Sequence, residues 1–246
     1  MKLGKEDKLN KLDDDEIVEP ETDNTILKMQ HYIYKNSKMI SIISIAVIVV
    51  VAGIFIGKNI WDKTNDENAQ KASVALDRII PYYDAPDYKK ALFGDSSRTV
   101  RGEKIIGLLD IVDLYEGTKQ GKVAALYAGN SYLALNKAEE AIEFFEIAVE
   151  SPSKIVLAGA YAGIGASYEI LGKYEDAVSN YEKASEYSVT DITVARYNYY
   201  AGLNYEKLGK KDEAINLYNE IIAKNKFNEF GSLAKAGLVR LGMKID

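Results

Sequence analysis

Two residue counts limit the chemistry available to this chain. Its 246 residues include no cysteine and a single histidine, His31. Without thiols the chain can form no disulfide, zinc–thiolate or iron–sulfur site, and it has no thiol nucleophile. A single imidazole cannot supply an HExxH zinc site, which needs two histidines. His31 lies in an amphipathic segment, where we interpret it as an interfacial residue; a pH sensor is the alternative.

Three other patterns could suggest a site, and each has a structural explanation. The glycine-rich run from Gly159 to Gly165 does not follow a strand pattern, so we do not expect a phosphate-binding loop. Paired Glu and Asp residues recur at a fixed period, which is typical of helix starts rather than of a general acid and base. The 18 tyrosines could stack on bases, but the net charge is −6 and the basic patch expected of a nucleic-acid-binding protein is missing. We therefore expect no enzyme activity, no catalytic, metal or cofactor-binding site, no cofactor, no small-molecule substrate and no nucleic-acid partner.

One long apolar run is the first element to assign. Met39–Gly57 contains no charged residue and is flanked by Lys38, Lys58 and Trp61. At 1.5 Å per residue its helix would extend about 28 Å, close to the thickness of the bilayer's hydrocarbon core. The run is longer than the apolar region of a signal peptide and starts farther into the chain. It predicts an uncleaved transmembrane anchor that contacts the lipid bilayer; a buried core helix is the alternative.

The residues before this run divide into two parts. Residues 1–24 hold few large apolar residues and include the acidic run Asp13–Glu16, so we expect a disordered tail. A solvated tail is favoured over a docking site for a basic partner. From Thr25 the apolar spacing predicts an interfacial helix over residues 25–38. Counted over the whole tail, lysines slightly outnumber those after the run, which favours a cytoplasmic tail.

An internal repeat dominates the rest of the chain. Three stretches that begin at Gly129, Gly165 and Gly202 align without gaps, with spacings of 36 and then 37 residues. Such a period with helical spacing indicates stacked helical hairpins, each with a helix A and a helix B. The recurring positions after each glycine are a tyrosine (Tyr132, Tyr168, Tyr205), a turn residue (Asn136, Gly172, Gly209), an alanine (Ala141, Ala177, Ala214) and an aromatic residue (Phe145, Tyr181, Tyr218).

Each recurring position has a packing explanation. We expect the small glycines to let helix A approach its own helix B, and the tyrosines, Tyr168 included, to be buried between hairpins. Residues 58–120 predict a linker and degenerate helical hairpins without strands, interrupted at Pro81 and Pro86. The pattern from Ile105 to Tyr115 outlines a helix B, and residues 227–246 outline a capping helix.

The repeat pattern resembles the tetratricopeptide repeat (TPR). The resemblance implies an all-α TPR α-solenoid, with three repeats over residues 121–226, behind one N-terminal transmembrane helix. It also implies a peptide-binding groove along the A helices; a merely solvated surface is the alternative. The groove lacks the Lys and Arg cluster needed to clamp an acidic peptide terminus. Carried onto this sequence, the candidate groove residues are Leu126, Asn130, Leu133, Glu169, Ile170, Arg196, Tyr199, Leu203, Glu206 and Lys207.

The order of tail, anchor and TPR array resembles the bacterial ancillary SecYEG translocon subunit (YfgM-like) family. That resemblance implies a single-pass type II protein of the bacterial inner (cytoplasmic) membrane, with the repeats in the periplasm. Its implied partners are proteins: the Sec translocon, periplasmic chaperones and unfolded secreted chains, which it would help to hand over. The alternative is a scaffold in envelope assembly or cell division that binds no such clients.

Overall fold

The computed structural model describes residues 22–225 and 227–244. The chain divides between Ile60 and Trp61 into two compact units. The described residues form eleven helices and two strands. Residues 1–21 of the predicted tail, with the acidic run Asp13–Glu16, lie outside the described residues.

The first unit is helical throughout its described part. Helix α1 (Thr22–Lys35) begins three residues before the predicted interfacial helix and ends at Lys35. Asn36 separates it from α2 (Ser37–Asp84), and the Asn36 side-chain amide donates a hydrogen bond to the Tyr32 carbonyl at 2.9 Å. The apolar side chains of α2 between Met39 and Gly57 are exposed, except for the half-buried Ile40. Among the described residues, α2 is the one helix long and apolar enough to cross a membrane.

The second unit begins with the carboxyl-terminal part of α2. There Ala72, Ala75, Leu76 and Ile79 are buried at helical spacing, so one face of this part joins the core. The break predicted at Pro81 is wrong, because α2 continues to Asp84 and the Pro81 carbonyl accepts a hydrogen bond from the Ala85 amide at 3.1 Å. A proline removes only one backbone donor, and here the helix continues for one more turn past it.

A short hairpin follows where no strand was expected. Helix α3 (Tyr88–Phe93) leads into β1 (Asp95–Val100), which pairs antiparallel with β2 (Glu103–Ile105). The turn places Arg101 and Gly102 at φ values of +53° and +82°. Most residues of both strands are exposed, so the sequence carries no apolar alternation that would indicate them. Because Ile105 lies in β2, the predicted helix starts later, as α4 (Leu108–Tyr115).

The rest of the unit is a stack of helical hairpins. The A helices are α5 (Lys119–Ala134), α7 (Lys154–Ile170) and α9 (Asp191–Lys207). The B helices are α6 (Ala138–Ala148), α8 (Tyr174–Tyr187) and α10 (Lys211–Asn225), and α11 (Glu229–Arg240) packs on α9 and α10 as the predicted cap. The turn prediction is confirmed, because Asn136, Gly172 and Gly209 have φ values of +58°, +71° and +72°.

Glycines allow the aromatic side chains of the B helices to reach the A helices. A Cβ at Gly129 or Gly202 would lie 2.6 Å from the ring of Phe145 or Tyr218, respectively, so the predicted close approach is confirmed. The ring of Phe145 also meets Gly163 of α7, and the ring of Tyr218 also meets Gly237 of α11. Both aromatic side chains are therefore fully buried between two helices.

The central repeat departs from this arrangement. Its aromatic residue, Tyr181, meets Gly165 on one side, but the ring of Tyr200 lies on the other, with 5.4 Å between the ring centroids. Tyr168, predicted to be buried, is only half-buried, and the Lys173 ammonium lies 5.7 Å from its ring centroid. The corresponding Tyr132 of the first repeat is buried, as predicted. The tyrosine position thus differs in burial from one repeat to the next.

Candidate protein-interaction face

The A-helix face consists of the ten candidate groove residues on α5, α7 and α9. At its first repeat, Leu126, Asn130 and Leu133 are half-buried in helix contacts. A Cβ at Gly159 of α7 would lie 3.4 Å from the methyl groups of Leu126, so this side chain fills the space between α5 and α7. Leu133 packs against the same core. The structure therefore uses this end of the face mainly for contact between neighbouring helices.

Glu169 brings three helices together in the middle of the face. Its carboxylate accepts hydrogen bonds from the Tyr181 hydroxyl at 3.2 Å and the Asn204 amide at 3.3 Å. The Lys207 ammonium lies 2.8 Å from the other carboxylate oxygen and 4.9 Å from the ring centroid of Tyr174. These residues, Glu169, Tyr181, Asn204 and Lys207, form what we call the Glu169 cluster. It links α7, α8 and α9, and it joins two of the candidate groove residues, Glu169 and Lys207, in one ion pair.

A second cluster repeats this arrangement one hairpin later. Glu206 accepts a hydrogen bond from the Tyr218 hydroxyl at 2.5 Å, and the Arg240 guanidinium donates two, at 2.8 and 3.3 Å. Partial burial raises the pKa of Glu206, but the hydrogen bonds from Arg240 and Tyr218 outweigh it and leave the pKa below its ordinary value. We call Glu206, Tyr218 and Arg240 the Glu206 cluster. It fixes α9 to α10 and α11.

Burial and the neighbouring glutamate also raise the pKa of the tyrosine in each cluster. Burial, with Glu169 adding to it, raises the pKa of Tyr181 well above the ordinary value. Burial and the hydrogen bond to Glu206 do the same for Tyr218. Both hydroxyls therefore stay protonated and donate throughout the neutral pH range. No group of three or more His, Cys, Asp or Glu among the described residues could hold a metal ion.

The carboxyl-terminal end of the face is more covered than the sequence predicts. Tyr199, expected to line an open groove, is only 8% exposed. Its ring centroid lies 5.9 Å from that of Tyr218 and 6.3 Å from that of Phe230 on α11. Arg196 remains exposed, with its guanidinium carbon 5.6 Å from the Phe230 ring centroid. Because α11 packs on α9, it covers the aromatic side chain and leaves the cation outside.

Comparison with known proteins identifies two of the three aligned repeats. Tetratricopeptide-repeat family models match residues 158–188 and 198–226, which correspond to the second and third aligned repeats. The crystal structure of MamA protein is similar to this chain, with a TM-score of 0.50 at 17% sequence identity over 70% of this chain and 82% of that chain. A second crystal structure of MamA has a TM-score of 0.41 at 19% identity, over 55% of this chain and 81% of that one. A search among curated proteins found no significant match.

The fold is an all-α TPR solenoid. This confirms the fold class predicted from the sequence, and TPR arrays indicate a protein–protein interaction module. Within this TPR array, the accessible part of the A-helix face is small. Ile170 is 52% exposed, and Arg196 and Lys207 are exposed beside the half-buried Leu203. The side chains of this face that remain exposed are therefore Ile170, Arg196 and Lys207, and Lys207 is paired with Glu169.

Sequence reasoning missed several residues that organise this face. Tyr181, Tyr218, Asn204, Arg240 and Phe230 determine which groups are open, and none belongs to the predicted groove. The aligned repeats contain a signal for some of them. Where the aromatic position is Tyr (Tyr181, Tyr218), the aligned A-helix position is Glu (Glu169, Glu206), and where it is Phe145 that position is Leu133. Hydroxyl and carboxylate thus occur together, as a hydrogen-bonded pair requires.

Proposed function

We propose that this chain is a membrane-anchored TPR module that binds proteins through its A-helix face. In this proposal Met39–Gly57 spans the bacterial inner membrane, the preceding tail is cytoplasmic, and the repeats lie in the periplasm. The observation that carries it is a protein-interaction array on the same chain as one long apolar helix. The exposed apolar side chains of that helix and the slight lysine excess of the whole preceding tail support it.

We further propose an ancillary role at the Sec translocon, with handover of secreted chains to chaperones. The open part of the face suits this role because Ile170 offers an apolar contact and Arg196 offers a charge for unfolded segments, while the charge of Lys207 is paired with Glu169. The anchored position would keep the array where secreted chains emerge. Transient, weak binding is expected, since few side chains of the face remain open.

Site-specific photocrosslinking tests this proposal. A photoreactive amino acid at position 170 of the full chain, in membranes with arrested secretory chains, should crosslink to those chains. The matched control is position 179, because Ser179 is exposed on the B helix α8, away from the A-helix face. Equal labelling from both positions, or none from position 170, would contradict client binding on the A-helix face.

An envelope-assembly or cell-division scaffold is the alternative, and the same experiment separates it. A scaffold should give crosslinks to a few folded partners and none to the arrested chains. The buried state of Tyr199 and the contacts of Leu126 and Leu133 favour this alternative to the extent that they leave little open groove.

A further inference from the structure

A second surface lies outside the TPR hairpins, in the amino-terminal part of the second unit. A groove of about 710 Å³ is bounded by α2, by β2 and the residue after it, and by the end of α4. Its size falls within the range of ligand-binding pockets, which is roughly 300–1,000 Å³. We call it the hairpin groove. The A-helix face shares no residue with it.

The apolar part of the hairpin groove is open to solvent. Val74 on α2 is 46% exposed and Leu114 on α4 is 57% exposed, and both line it. Three other lining residues are tied to the core: Ala75 is part of it, and Ile106 and Tyr115 pack against it. Apolar side chains that converge on one concavity are typical of an interaction site rather than of scattered surface residues.

The charges of the hairpin groove are unbalanced. Arg78 is paired with Glu103 of β2, and only 16% of its side chain is exposed. Lys71 on α2 and Lys104 on β2 also line the groove, and neither forms an ion pair with any described residue. The groove therefore presents two uncompensated cations, in a chain whose net charge is −6.

We propose that the hairpin groove binds an acidic peptide segment of a partner protein. An apolar side chain of the peptide contacts Val74 and Leu114, and flanking carboxylates pair with Lys71 and Lys104. The two lysines come from different walls of the groove, α2 and β2, and this separation suits carboxylates spaced along a peptide better than the single charge centre of one lipid headgroup. The Arg78–Glu103 pair closes the groove to a further anion, so the two free lysines set the charge preference.

Binding of a short peptide to the full chain tests the proposal. The protein is held in nanodiscs of zwitterionic phosphatidylcholine, and the probe is a fluorescein-labelled seven-residue peptide that alternates Glu with Leu. We expect saturable binding by fluorescence anisotropy that weakens as salt rises. Lys71→Glu and Lys104→Glu should each weaken binding about fivefold, since each turns an attraction into a repulsion at an exposed pair. Leu114→Asp should weaken it further.

Matched controls make the result specific. Lys154→Glu changes an exposed lysine of α7 outside the groove and should leave binding unchanged. A peptide that alternates Lys with Leu should bind the Lys71→Glu/Lys104→Glu double variant better than it binds the original chain. Binding that is absent, or equal in the original chain and the reversed variants, overturns the proposal. If nanodiscs with anionic phosphatidylglycerol block the peptide through Lys71 and Lys104, the groove is a lipid site and the proposal is also overturned.

Discussion

Arg240 of α11 donates two hydrogen bonds to Glu206 of α9, one of 2.8 Å from Nη2 to Oε1 and one of 3.3 Å from Nε to Oε2. A guanidinium that meets both oxygens of one carboxylate fixes the relative orientation of the two groups, which a lysine cannot do. Glu206 is also bound by Tyr218 of α10, so three helices meet at one carboxylate. The capping helix is therefore held by a directed polar contact as well as by apolar packing.

Substitution of Arg240 should weaken the packing of the capping helix α11 on α9. Arg240→Ala should lower the free energy of unfolding by about 1 kcal/mol, the upper end for partly exposed pairs, because the Glu206 side chain is only 18% exposed. Arg240→Lys should recover part of this loss because the charge remains and the two-point contact does not. Urea unfolding of the second unit, residues 61–246, measures both variants. Val239→Ala is the control, since Val239 is exposed on the same helix; an equal loss from that variant would contradict the role of the ion pair.

The first repeat offers a test of the hydroxyl–carboxylate pairing. Phe145→Tyr places a hydroxyl where the aligned A-helix position is Leu133, so a buried donor lacks its acceptor and the cost should be about 1–3 kcal/mol. Adding Leu133→Glu should recover part of that loss, because it recreates the pair seen at Tyr218 and Glu206. A double-mutant cycle by urea unfolding gives the coupling energy. Additive effects of the two substitutions would contradict the pairing rule.

The helical stack could be predicted because its signals are local and repeated. Gly129, Gly202 and the turn residue Asn136 each have one steric requirement that recurs at a fixed period, and the structure satisfies it. The β1–β2 hairpin could not be predicted, because its exposed strand residues have no apolar alternation and its turn depends on Arg101 in the left-handed region. Pro81 misled the prediction since its effect depends on its place within the last turn.

The candidate site was harder to predict than the fold. Whether an A-helix residue is open depends on the helix that follows, and the repeat register does not contain that information. Tyr199 is covered by Phe230, while Lys207 stays exposed, with its ammonium paired with Glu169 and 4.9 Å from the Tyr174 ring centroid. The register alone therefore could not indicate that Tyr199 is buried, while the rest of the groove assignment stays a prediction.

The different burial of Tyr199 and Tyr168 predicts that truncating them to alanine lowers the free energy of unfolding by different amounts. Tyr199→Ala should cost about 3–5 kcal/mol, because it removes an aromatic side chain from a closed cluster. Tyr168→Ala should cost less, about 1–2 kcal/mol, because that side chain is already partly exposed to solvent beside Lys173. Thermal melting of residues 61–246 compares them directly. A larger drop in melting temperature for Tyr168→Ala than for Tyr199→Ala would show that the packing around α9 and α11 is not as described.

The proposed topology predicts where a carboxyl-terminal reporter works. Alkaline phosphatase, which needs an oxidising compartment to form its disulfides, should be active when fused after the last residue of the chain. A fluorescent protein that matures only in the cytoplasm should be dark at the same position. Fusion of each reporter before Met1 supplies the matched control and should give the reverse pattern. A cytoplasmic signal from the carboxyl-terminal fusion would contradict the periplasmic location and the translocon role together.

The hairpin should add acid-sensitive stability through Asp95. Hydrogen bonds from Ser97 and from the Tyr82 hydroxyl, at 2.8 Å for the latter, lower the pKa of this carboxyl from 3.8 to about 2. A lowered pKa in the folded state means that the carboxylate stabilises the fold fully above pH of about 4, and that this contribution is lost as the pH falls towards 2. The difference in urea midpoint between the original unit and Asp95→Asn should therefore be large near pH 6 and shrink steadily below pH 4. Asp113→Asn, at an exposed residue with no ion pair among the described residues, should give a small difference at both pH values. A difference in urea midpoint between the original unit and Asp95→Asn that stays constant down to pH 2 would show that the Asp95 charge does not stabilise the hairpin.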